Sequence, residues 1–384
     1  MLTRVPEPRA QIRITRTRLA DGRALAYYDD REPYVSGKVT RALHDHRKLP
    51  SDQAHPTMRR DVLTGEWVIL APHRMVRTHL PATARCPLCP SRPGAMTEIP
   101  ADDYDVVVFD NRFPSLASLV ATGHQVPALV DGDPLWPQQP ALGRCEVVCF
   151  TSEHGASFAD LTPRRAATVI EAWADRTRAL SAMSATRQVF CFENRGPETG
   201  VTLQHPHGQI YAYPFLPPRT EQLLAQAAAH RDRTGRDLQA DVLIAELRAG
   251  RRVVHAGTAW TAYVPAAARW PVELHLVPHR AVPDLAALDA AERSELATLY
   301  PAMLRWMDEF FADQGDHGPV PYVAGWHQAP TGPRRDLVRL YLQLFSVRRA
   351  AGKLKYLAGS ESGVGVWLND TTPERIARRL RALT

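Results

Sequence analysis

Two histidines and a glutamine at alternate positions of segment 204–213 could carry out chemistry on a phosphate group. Alternate side chains of a β-strand point to one face, so His205, His207 and Gln209 are expected to project together. A neutral imidazole, with an unperturbed pKa of ~6.5, can attack phosphorus and form a phosphoramidate. The alternative is a metal-binding or structural histidine pair, because such pairs are also common zinc ligands.

The residues around His207 favour the nucleophilic role. One nitrogen of the ring must attack while the other is held, usually by donating to a carbonyl. Gly208 would let the backbone come close to a phosphate. Gln209 can donate and accept hydrogen bonds, but it cannot give and take protons as a histidine could. Such an amide suits an enzyme that must not readily activate water, which indicates group transfer rather than hydrolysis.

A second set of residues could bind a metal ion. Cys86 and Cys89 form a C-x2-C motif, which is half of a tetrahedral zinc site. His154 and His205 are candidates to complete a Cys2His2 set. The competing histidines are His44, His46, His55, His73 and His79. A structural zinc can contribute ~10 kcal/mol to folding, so the site could stiffen the neighbour of the nucleophile or lie remote from the chemistry.

Two loops could supply the groups that bind phosphate. Arg74 and Arg77 are cations placed just after a strand-like run, and segment 194–202 offers glycines and a hydroxyl just before the histidines. Arginine side chains match the geometry of phosphate oxygens. The alternative is that these arginines are ordinary solvated surface residues.

Length and composition indicate a soluble globular protein of two domains. The chain has 384 residues, of which 45% are hydrophobic and 23% charged. No apolar run approaches the ~18 residues of a membrane span. Residues 1–18 are basic and lack the apolar core of a signal peptide. We therefore expect a cytoplasmic protein with no membrane partner.

Charge and cysteine content narrow the partners further. The net charge of +6, from 47 basic and 41 acidic residues, fits phosphate-bearing substrates and equally an arginine-rich genome. There is no long Lys/Arg block or nucleic-acid motif, so no nucleic-acid partner is expected. Five cysteines without a secretion signal do not indicate a disulfide framework. Cys145, Cys149 and Cys191 lie in apolar runs and are expected to be buried, inert thiols.

The elements that must position these residues can be predicted from hydrophobic patterning. Short strand-like runs cover 67–70, 106–109 and 188–192. A helix is predicted from Thr162 to about Met183, because Thr162 is a good N-cap, Pro163 suits the first turn, and an apolar stripe follows at helical spacing. The strand over 188–192 then leads through a Gly/Pro turn into the histidine segment.

The same order of elements returns in the second half. Strand, helix, strand and strand are predicted over 272–278, 285–311, 322–326 and 337–347. Pro301 is expected to break or kink that helix. We therefore predict two related units in tandem, joined near Pro217 and Pro218. The predicted boundaries are an N-terminal extension over 1–56, a catalytic domain over 57–216 and a domain without the nucleophile over 217–384.

From about Asp61 to its C-terminus, the chain resembles the galactose-1-phosphate uridylyltransferase family of the histidine-triad superfamily. The most specific match is the segment 193–196 (Glu-Asn-Arg-Gly) followed by 205–209 (His-Pro-His-Gly-Gln). Supporting matches are 65–68, 71–74, 86–89, 109–114, 270–273 and 325–330. The resemblance implies an α+β fold of two tandem histidine-triad-like units, each a mostly antiparallel sheet with flanking helices.

The resemblance also implies a ping-pong reaction that exchanges UMP. His207 would attack the α-phosphorus of UDP-glucose and release glucose 1-phosphate, and the uridylyl-histidine would then react with galactose 1-phosphate. Gln209 would hold the phosphoryl oxygens. The matching positions for the nucleotide and its phosphates are Arg74, Arg77, Asn111, Asn194, Gly200 and Thr202.

Further roles follow from the same resemblance. Lys355 and Glu361 match positions that reach the hexose phosphate, often across a dimer interface, so a homodimer is expected. Zinc would be held by Cys86, Cys89, His154 and His205.

The chain departs from the family pattern in its second half. Some members carry a second metal, held by one glutamate and three histidines. Here only His327 matches, and the other positions hold Leu223, Tyr341 and Gln343, so we predict that this second site is absent. Ser360 and Trp367 replace a tyrosine and a glutamine near the hexose, which leaves the sugar preference open.

Two other functions fit the same residues. One is a related nucleotidyltransferase or phosphorylase that uses ADP-sugars or dinucleoside polyphosphates, since the histidine chemistry would be the same. The other is a non-catalytic, zinc-stabilised protein that binds nucleotides. Only nucleotide preference and turnover would separate the three.

Overall fold

A single antiparallel sheet that runs through both halves of the chain organises the computed structural model, which describes residues 11–41, 44–49, 55–117 and 126–384. The strands are β1 (Arg13–Arg18), β2 (Ala24–Asp29), β3 (Thr57–Arg60), β4 (Trp67–Leu70), β5 (Val106–Asp110), β6 (Gln138–Pro140), β7 (Arg144–Cys149), β8 (Gln188–Arg195), β9 (His207–Tyr213), β10 (Val253–Ala256), β11 (Trp260–Tyr263), β12 (Val272–Pro278), β13 (Tyr322–His327), β14 (Tyr341–Ser346), β15 (Arg348–Ala350) and β16 (Lys353–Leu354). The α-helices are α1 (Pro163–Ser181), α2 (Pro218–Thr234), α3 (Leu238–Ala249), α4 (Ala290–Glu309), α5 (Gly359–Val364) and α6 (Pro373–Arg381).

The main sheet has 11 strands in the order β1-β2-β5-β7-β9-β8-β13-β14-β12-β11-β10. The elements β7-α1-β8-β9 of the first half recur as β12-α4-β13-β14 in the second, which confirms the predicted tandem units. Strands β8 and β13 pair with each other, Phe192 opposite Gly325, and so join the two units into one sheet. Two small sheets, β4-β3-β6 and β15-β16, lie outside it.

Helices α1 and α4 cover one face of this sheet, called here the back face. Phe158, Trp173 and Tyr300 meet there in one aromatic cluster, in which the Phe158 and Trp173 rings stack at 5.7 Å and the Phe158 and Tyr300 rings meet edge to face at 4.7 Å. Helix α1 begins as predicted, because the Thr162 hydroxyl accepts a hydrogen bond from the backbone of Arg165. The opposite, front face of the first unit carries the candidate site.

Helix α4 differs from its prediction in two ways. It begins after Asp289, where a capping box with Glu292 fixes the start, and residues 285–287 form a separate 3-10 turn. It also runs without a break through Pro301, while the alternative of a kink there stays a prediction. Most helical stability in proteins comes from tertiary packing of one face, and the buried face of α4 against α1 outweighs the local effect of the proline.

The N-terminal region contributes two strands that were not predicted. β1 and β2 extend the main sheet next to β5, and Tyr27 and Tyr28 of β2 are fully buried. Part of the predicted extension over 1–56 is thus core, while its residues 1–10, 42–43 and 50–54 lie outside the described residues. The predicted domain boundaries stay predictions. Among the described residues, no helix has the length and apolarity needed to cross a membrane.

Candidate active site

His207 stands at the start of β9 with one ring nitrogen already engaged. Its Nδ1 lies 2.7 Å from the backbone oxygen of His205. A carbonyl only accepts hydrogen bonds, so Nδ1 carries the proton and donates it, and Nε2 keeps a free lone pair. Burial lowers the pKa of His207 below its usual value, which keeps the imidazole neutral and nucleophilic near pH 7.

The predicted common face is only partly right. His207 and Gln209 share one face of β9, but the strand begins at His207, and His205 precedes it. The buried ring of His205 is directed to Cys89 instead, with Nδ1 at 3.6 Å from Sγ. One histidine is therefore available for nucleophilic attack, and the other belongs to the candidate metal site.

Gly208 has a packing role, and the phosphate contact suggested by the sequence stays a prediction. A Cβ at this position would lie 2.9 Å from the Phe150 ring and 2.9 Å from the Phe192 backbone oxygen. These contacts lie on the back face, since β-strand neighbours alternate. Only glycine lets β9 approach its surroundings this closely.

Gln209 points to the front face opposite Val147 of β7 and Phe192 of β8. Its Oε1 accepts a hydrogen bond from the Tyr211 hydroxyl at 3.2 Å. With the oxygen engaged, the Nε2 amino group is the part of the side chain left to donate to a ligand.

A cavity of about 150 Å³ opens in front of strands β5, β7 and β9. The residues predicted for catalysis and for the nucleotide all line it, namely His207, Gln209, Arg74, Arg77, Asn111, Asn194, Gly200 and Thr202. Aromatic and aliphatic walls come from Leu88, Phe109, Phe113 and Val147. Cationic and apolar linings thus occur side by side, as a nucleotide requires. The functions of these residues remain predictions.

Two loops that frame the cavity are tied to each other. Arg74 Nη1 donates to the backbone oxygen of Phe113 at 2.7 Å, and His73 Nε2 lies 2.8 Å from that of Pro114. The Leu80 backbone donates to the Thr202 oxygen at 2.7 Å. The arginine-bearing segment is therefore held over the ends of β5 and β8.

Two asparagines at the cavity shape the turns that carry them. The Asn111 Oδ1 accepts from the backbone of Phe113 at 2.8 Å, and the Asn194 Nδ2 donates to the Thr199 oxygen at 3.5 Å. Gly200 ends the following turn at a φ of +83°, a conformation that favours glycine. The sequence predicted that Asn111, Asn194 and Gly200 lie at the site. It did not predict that they also fix the turns that form the cavity.

Glu98 and Arg112 line the same cavity but were not predicted as site residues. Arg112 falls inside the matched segment 109–114, which could have identified it. Glu98 follows the cysteine motif in a loop, and nothing in its local sequence indicates a site.

Four side chains meet beside the cavity in a geometry suited to a metal ion. The ligand atoms of Cys86, Cys89, His154 and His205 all lie within 4.8 Å of one another. Cys89 Sγ is 3.4 Å from His154 Nδ1. Thus His154 and His205, out of the several candidate histidines, complete the cysteine pair. Two thiolates and two imidazoles are a typical tetrahedral zinc set.

The orientation of His205 supports a ligand role. Its Nε2 lies 2.8 Å from the Thr151 backbone oxygen and 2.7 Å from the Tyr104 hydroxyl. Nε2 therefore carries the proton, and Nδ1 presents its lone pair to the cysteines, as metal ligation requires. Burial lowers the pKa of His205 to about 4, so the ring is neutral.

The other three cysteines are free and buried, as predicted: Cys145, Cys149 and Cys191.

Lys355 and Glu361 do not line the cavity within this chain. They form an ion pair with each other at 3.1 Å, and Lys355 also donates to the Leu368 backbone oxygen. The hydrogen bond from Lys355 lowers the pKa of Glu361. Nearby apolar side chains are strongly exposed, with Tyr356 at 77% and Val364 at 75%.

Two of the second-half residues that differ from the family pattern, Tyr341 and Gln343, contact neighbouring side chains by ring stacking and by hydrogen bonds. Gln343 Nε2 donates to Glu273 at 2.6 Å, and Gln343 Oε1 accepts from Arg219 at 2.9 Å. His327 stacks on Tyr341 with ring centroids 4.5 Å apart. The predicted absence of a second metal stays a prediction.

Comparison with known proteins covers nearly the whole chain. Residues 47–217 match the model of the galactose-1-phosphate uridyl transferase N-terminal domain, and residues 221–384 match that of its C-terminal domain. A galactose-1-phosphate uridylyltransferase from Streptomyces lividans is 46% identical over 377 residues, which is 96% of this chain and 97% of that protein. Its counterpart from Thermotoga maritima is 33% identical over 84% of this chain and 97% of that protein.

Solved structures agree with the sequence comparisons. A uridylyltransferase structure superimposes with a TM-score of 0.72 at 29% identity, covering 85% of this chain and 98% of that one. An ADP-glucose phosphorylase from Arabidopsis thaliana matches with a TM-score of 0.63 at 22% identity, over 86% of this chain and 99% of that one, and shows the common fold alone. With both domains matched and its sheet shared with a solved uridylyltransferase, this chain belongs to the galactose-1-phosphate uridylyltransferase family.

Proposed function

We propose that this enzyme transfers UMP from UDP-glucose to galactose 1-phosphate through a covalent uridylyl group on His207. The observation that carries this proposal is the Nδ1 bond to the His205 carbonyl at 2.7 Å, which leaves Nε2 as the free nucleophile in a cavity lined by arginines. Membership of the family supports the choice of substrates.

The two half-reactions balance on the His207 ring. The Nε2 lone pair forms a bond to the α-phosphorus, and the bond from that phosphorus to the glucose 1-phosphate oxygen breaks. The ring then carries a positive charge, which the His205 carbonyl stabilises through Nδ1–H. A phosphate oxygen of galactose 1-phosphate attacks the same phosphorus, the N–P bond breaks, and neutral His207 returns with UDP-galactose as product.

The remaining groups act by position and charge. The Gln209 amino group donates to a phosphoryl oxygen, and Arg74 and Arg77 balance the phosphate charge. Phosphoryl transfer needs little from a protein beyond alignment and electrostatic stabilisation. Asn111, together with the loop that holds Gly200 and Thr202, borders the nucleoside.

We infer that the metal is zinc and that its role is structural. Four ligand atoms, from Cys86, Cys89, His154 and His205, would fill a tetrahedral set and leave no open position. Bound zinc would fix the cysteine loop and His205, the residue whose carbonyl holds the nucleophile.

We also propose that a second copy of the chain completes the hexose-phosphate subsite. Lys355 and Glu361 are paired with each other away from this cavity, next to exposed Tyr356 and Val364. A homodimer would bury these apolar side chains and could bring Lys355 to the partner's cavity.

Covalent labelling tests the central step. UDP-glucose labelled in its uridine should label the wild-type protein, and galactose 1-phosphate should remove the label. His207→Ala should show no labelling, whereas the control His79→Ala, at an exposed position outside the cavity lining, should label normally. Labelling of His207→Ala would refute the proposed role of this residue. ADP-glucose run in parallel tests the rival nucleotide, which would be indicated if it gave the faster labelling.

A further inference from the structure

Among the described residues that line the cavity, Glu98 is the single carboxylate, and only 6% of it is exposed. Its Oε2 lies 2.5 Å from Arg23 Nη2, and its Oε1 lies 2.8 Å from Arg47 Nη1 and 3.4 Å from Arg112 Nη1. An acidic group in a pocket for an anionic ligand is unfavourable unless it is neutralised and faces a part of the ligand that carries no negative charge. The role of Glu98 therefore depends on what neutralises its charge and on which part of the ligand it faces.

Its place in the fold puts Glu98 at the end of the cavity away from the nucleophile. Across the sheet, Gln209 of β9 pairs with Val147 of β7, which pairs with Phe109 of β5. Two strand spacings, ~10 Å, therefore separate Gln209 from Phe109. Glu98 belongs to the β5 side, because its partner Arg23 also donates to the Asp110 backbone oxygen at 2.9 Å.

The two arginines that hold Glu98 come from the unpredicted N-terminal region. Arg23 lies directly before β2 and also pairs with Asp21 at 2.7 Å. Arg47 pairs with Asp45 at 2.7 Å, and the Asp45 carboxylate in turn accepts from the Ala20 backbone at 3.0 Å. The side chains of Arg23 and Arg47 are only 14% and 9% exposed. The carboxylate is thus fixed in place and its charge is balanced.

Glu98 still has capacity for a ligand. An ionised carboxylate offers about four acceptor sites and no donor. Two sites are taken by short bonds, and the 3.4 Å contact to half-exposed Arg112 is weak. The ligand group it can bind must therefore be a donor. Beyond its phosphates, a nucleotide offers as donors the hydroxyls of its ribose and the N–H of its base.

We propose that Glu98, positioned by Arg23 and Arg47, accepts a hydrogen bond from the ribose 2′-hydroxyl and makes the site specific for ribonucleotides. This inference rests on the proposed function, since it takes a uridine nucleotide as the ligand. It also makes the N-terminal strands part of the substrate site.

Binding of UDP and 2′-deoxy-UDP, measured by calorimetry, tests the proposal. Hydrogen bonds to charged groups are worth about ten- to hundredfold in affinity, so the wild-type protein should prefer UDP by about that ratio. Glu98→Gln should lower the ratio to a few-fold, because the amide oxygen still accepts a hydrogen bond but no longer carries a charge. The matched control Glu66→Gln, at an exposed position, should keep the wild-type ratio.

Because both affinities are measured on the same variant, a general loss of folded protein or of affinity does not change the ratio of UDP to 2′-deoxy-UDP binding. Should Glu98→Gln fail to fold, Arg47→Gln releases the carboxylate and should lower the ratio with Glu98 still present. A wild-type protein without preference, or a Glu98→Gln protein with an unchanged ratio, would overturn the proposal. UDP methylated at N3 of the base covers the alternative donor: if Glu98→Gln abolishes discrimination against that compound instead, the acceptor binds the base and the ribose assignment is wrong.

Binding of UDP does not require turnover, so the two proposals fail separately. If UMP exchange is absent while the binding ratio changes as expected, the proposed reaction is wrong and the role of Glu98 stands. If exchange proceeds and the ratio is insensitive to Glu98, the reverse holds.

Discussion

At the scale of single residues, the direction of two hydrogen bonds decides what the site can do. The bond from Nδ1 to the His205 carbonyl leaves Nε2 of His207 with a free lone pair, as the proposed nucleophile needs. The bond from Tyr211 occupies the Gln209 oxygen and leaves its amino group to the ligand. A strand that presents one nucleophile and one donor, without a second acid or base, is suited to moving a phosphoryl group between two oxygen acceptors.

Replacement of Gln209 by glutamate should therefore slow transfer without unfolding the protein. A carboxylate would put an anion in place of a donor beside a negatively charged phosphoryl group, and the loss of one such donor typically costs ~3 kcal/mol, or about a hundredfold in kcat. Steady-state exchange of labelled galactose 1-phosphate measures the effect. Tyr211→Phe is the control, since it removes only the hydroxyl at 3.2 Å and should reduce kcat far less. Equal rates for Gln209→Glu and wild type would show that the amide lies away from the phosphorus.

Site residues could be predicted from the sequence where their chemistry requires a recognisable local spacing. The alternation at His207 and Gln209, and the spacing of Cys86 and Cys89, each indicate a function locally. His154 could be proposed only among several histidines, because its partners come from distant segments of the chain. Glu98 could not be predicted, since a carboxylate in a loop becomes a site residue only when the fold brings Arg23 and Arg47 to it.

At the scale of elements, the cysteine loop and the start of β9 depend on each other. Cys86 and Cys89 approach His205, which lies two residues before His207 and whose carbonyl accepts a hydrogen bond from the His207 ring. Local sequence predicted β5, α1 and β8, whose apolar patterns are strong. It missed β1, whose RITRTR sequence has a mostly polar and charged character that conceals a strand at the sheet edge.

Removal of the metal should therefore destabilise this element before it alters the chemistry. Purified protein should contain about one equivalent of zinc per chain, and a chelator should lower the free energy of unfolding by several kcal/mol, within the ~10 kcal/mol of structural zinc sites. The rate per folded molecule should change much less, because neither His207 nor Gln209 belongs to the candidate ligand set. Urea unfolding and exchange kinetics with and without chelator measure both quantities. Cys86→Ser should mimic chelation, whereas Cys191→Ser, at a buried thiol outside the site, should not change the zinc content. Two equivalents of zinc would contradict the predicted loss of the second-half site.

At the scale of the whole molecule, the two units share one sheet through the pairing of β8 with β13. The sequence predicted the repeat from the order of its elements. It could not predict that the two sheets would join edge to edge, since such pairing depends on backbone groups that every residue has. Glu193 lies at this joint on the back face, where its carboxylate accepts from Tyr322 at 2.8 Å and Tyr300 at 3.5 Å.

This buried joint should make stability depend on pH. Burial raises the pKa of Glu193 to about 7, although Tyr322 and Arg195 act in the opposite direction. Between its unfolded pKa of ~4.3 and about 7, the folded protein holds a proton that the unfolded chain releases, so the free energy of unfolding falls as pH rises through this window and levels off above it. The full loss is about 4 kcal/mol, because the pKa rises from ~4.3 to about 7 and each pKa unit is worth ~1.4 kcal/mol.

Glu193→Gln isolates this contribution from that of other titrating groups. The neutral amide keeps the shape and the acceptor for Tyr322, so the variant should lose less stability than wild type between pH 5 and pH 8 in urea unfolding. Glu309→Gln, at the exposed end of α4, should keep the wild-type slope. If Glu193→Gln and wild type show the same slope, the carboxylate is ionised across this range and the joint is held by packing and backbone pairing alone. If the slopes differ as expected, the protonated form of Glu193 at mildly acidic pH contributes to the stability of the folded protein.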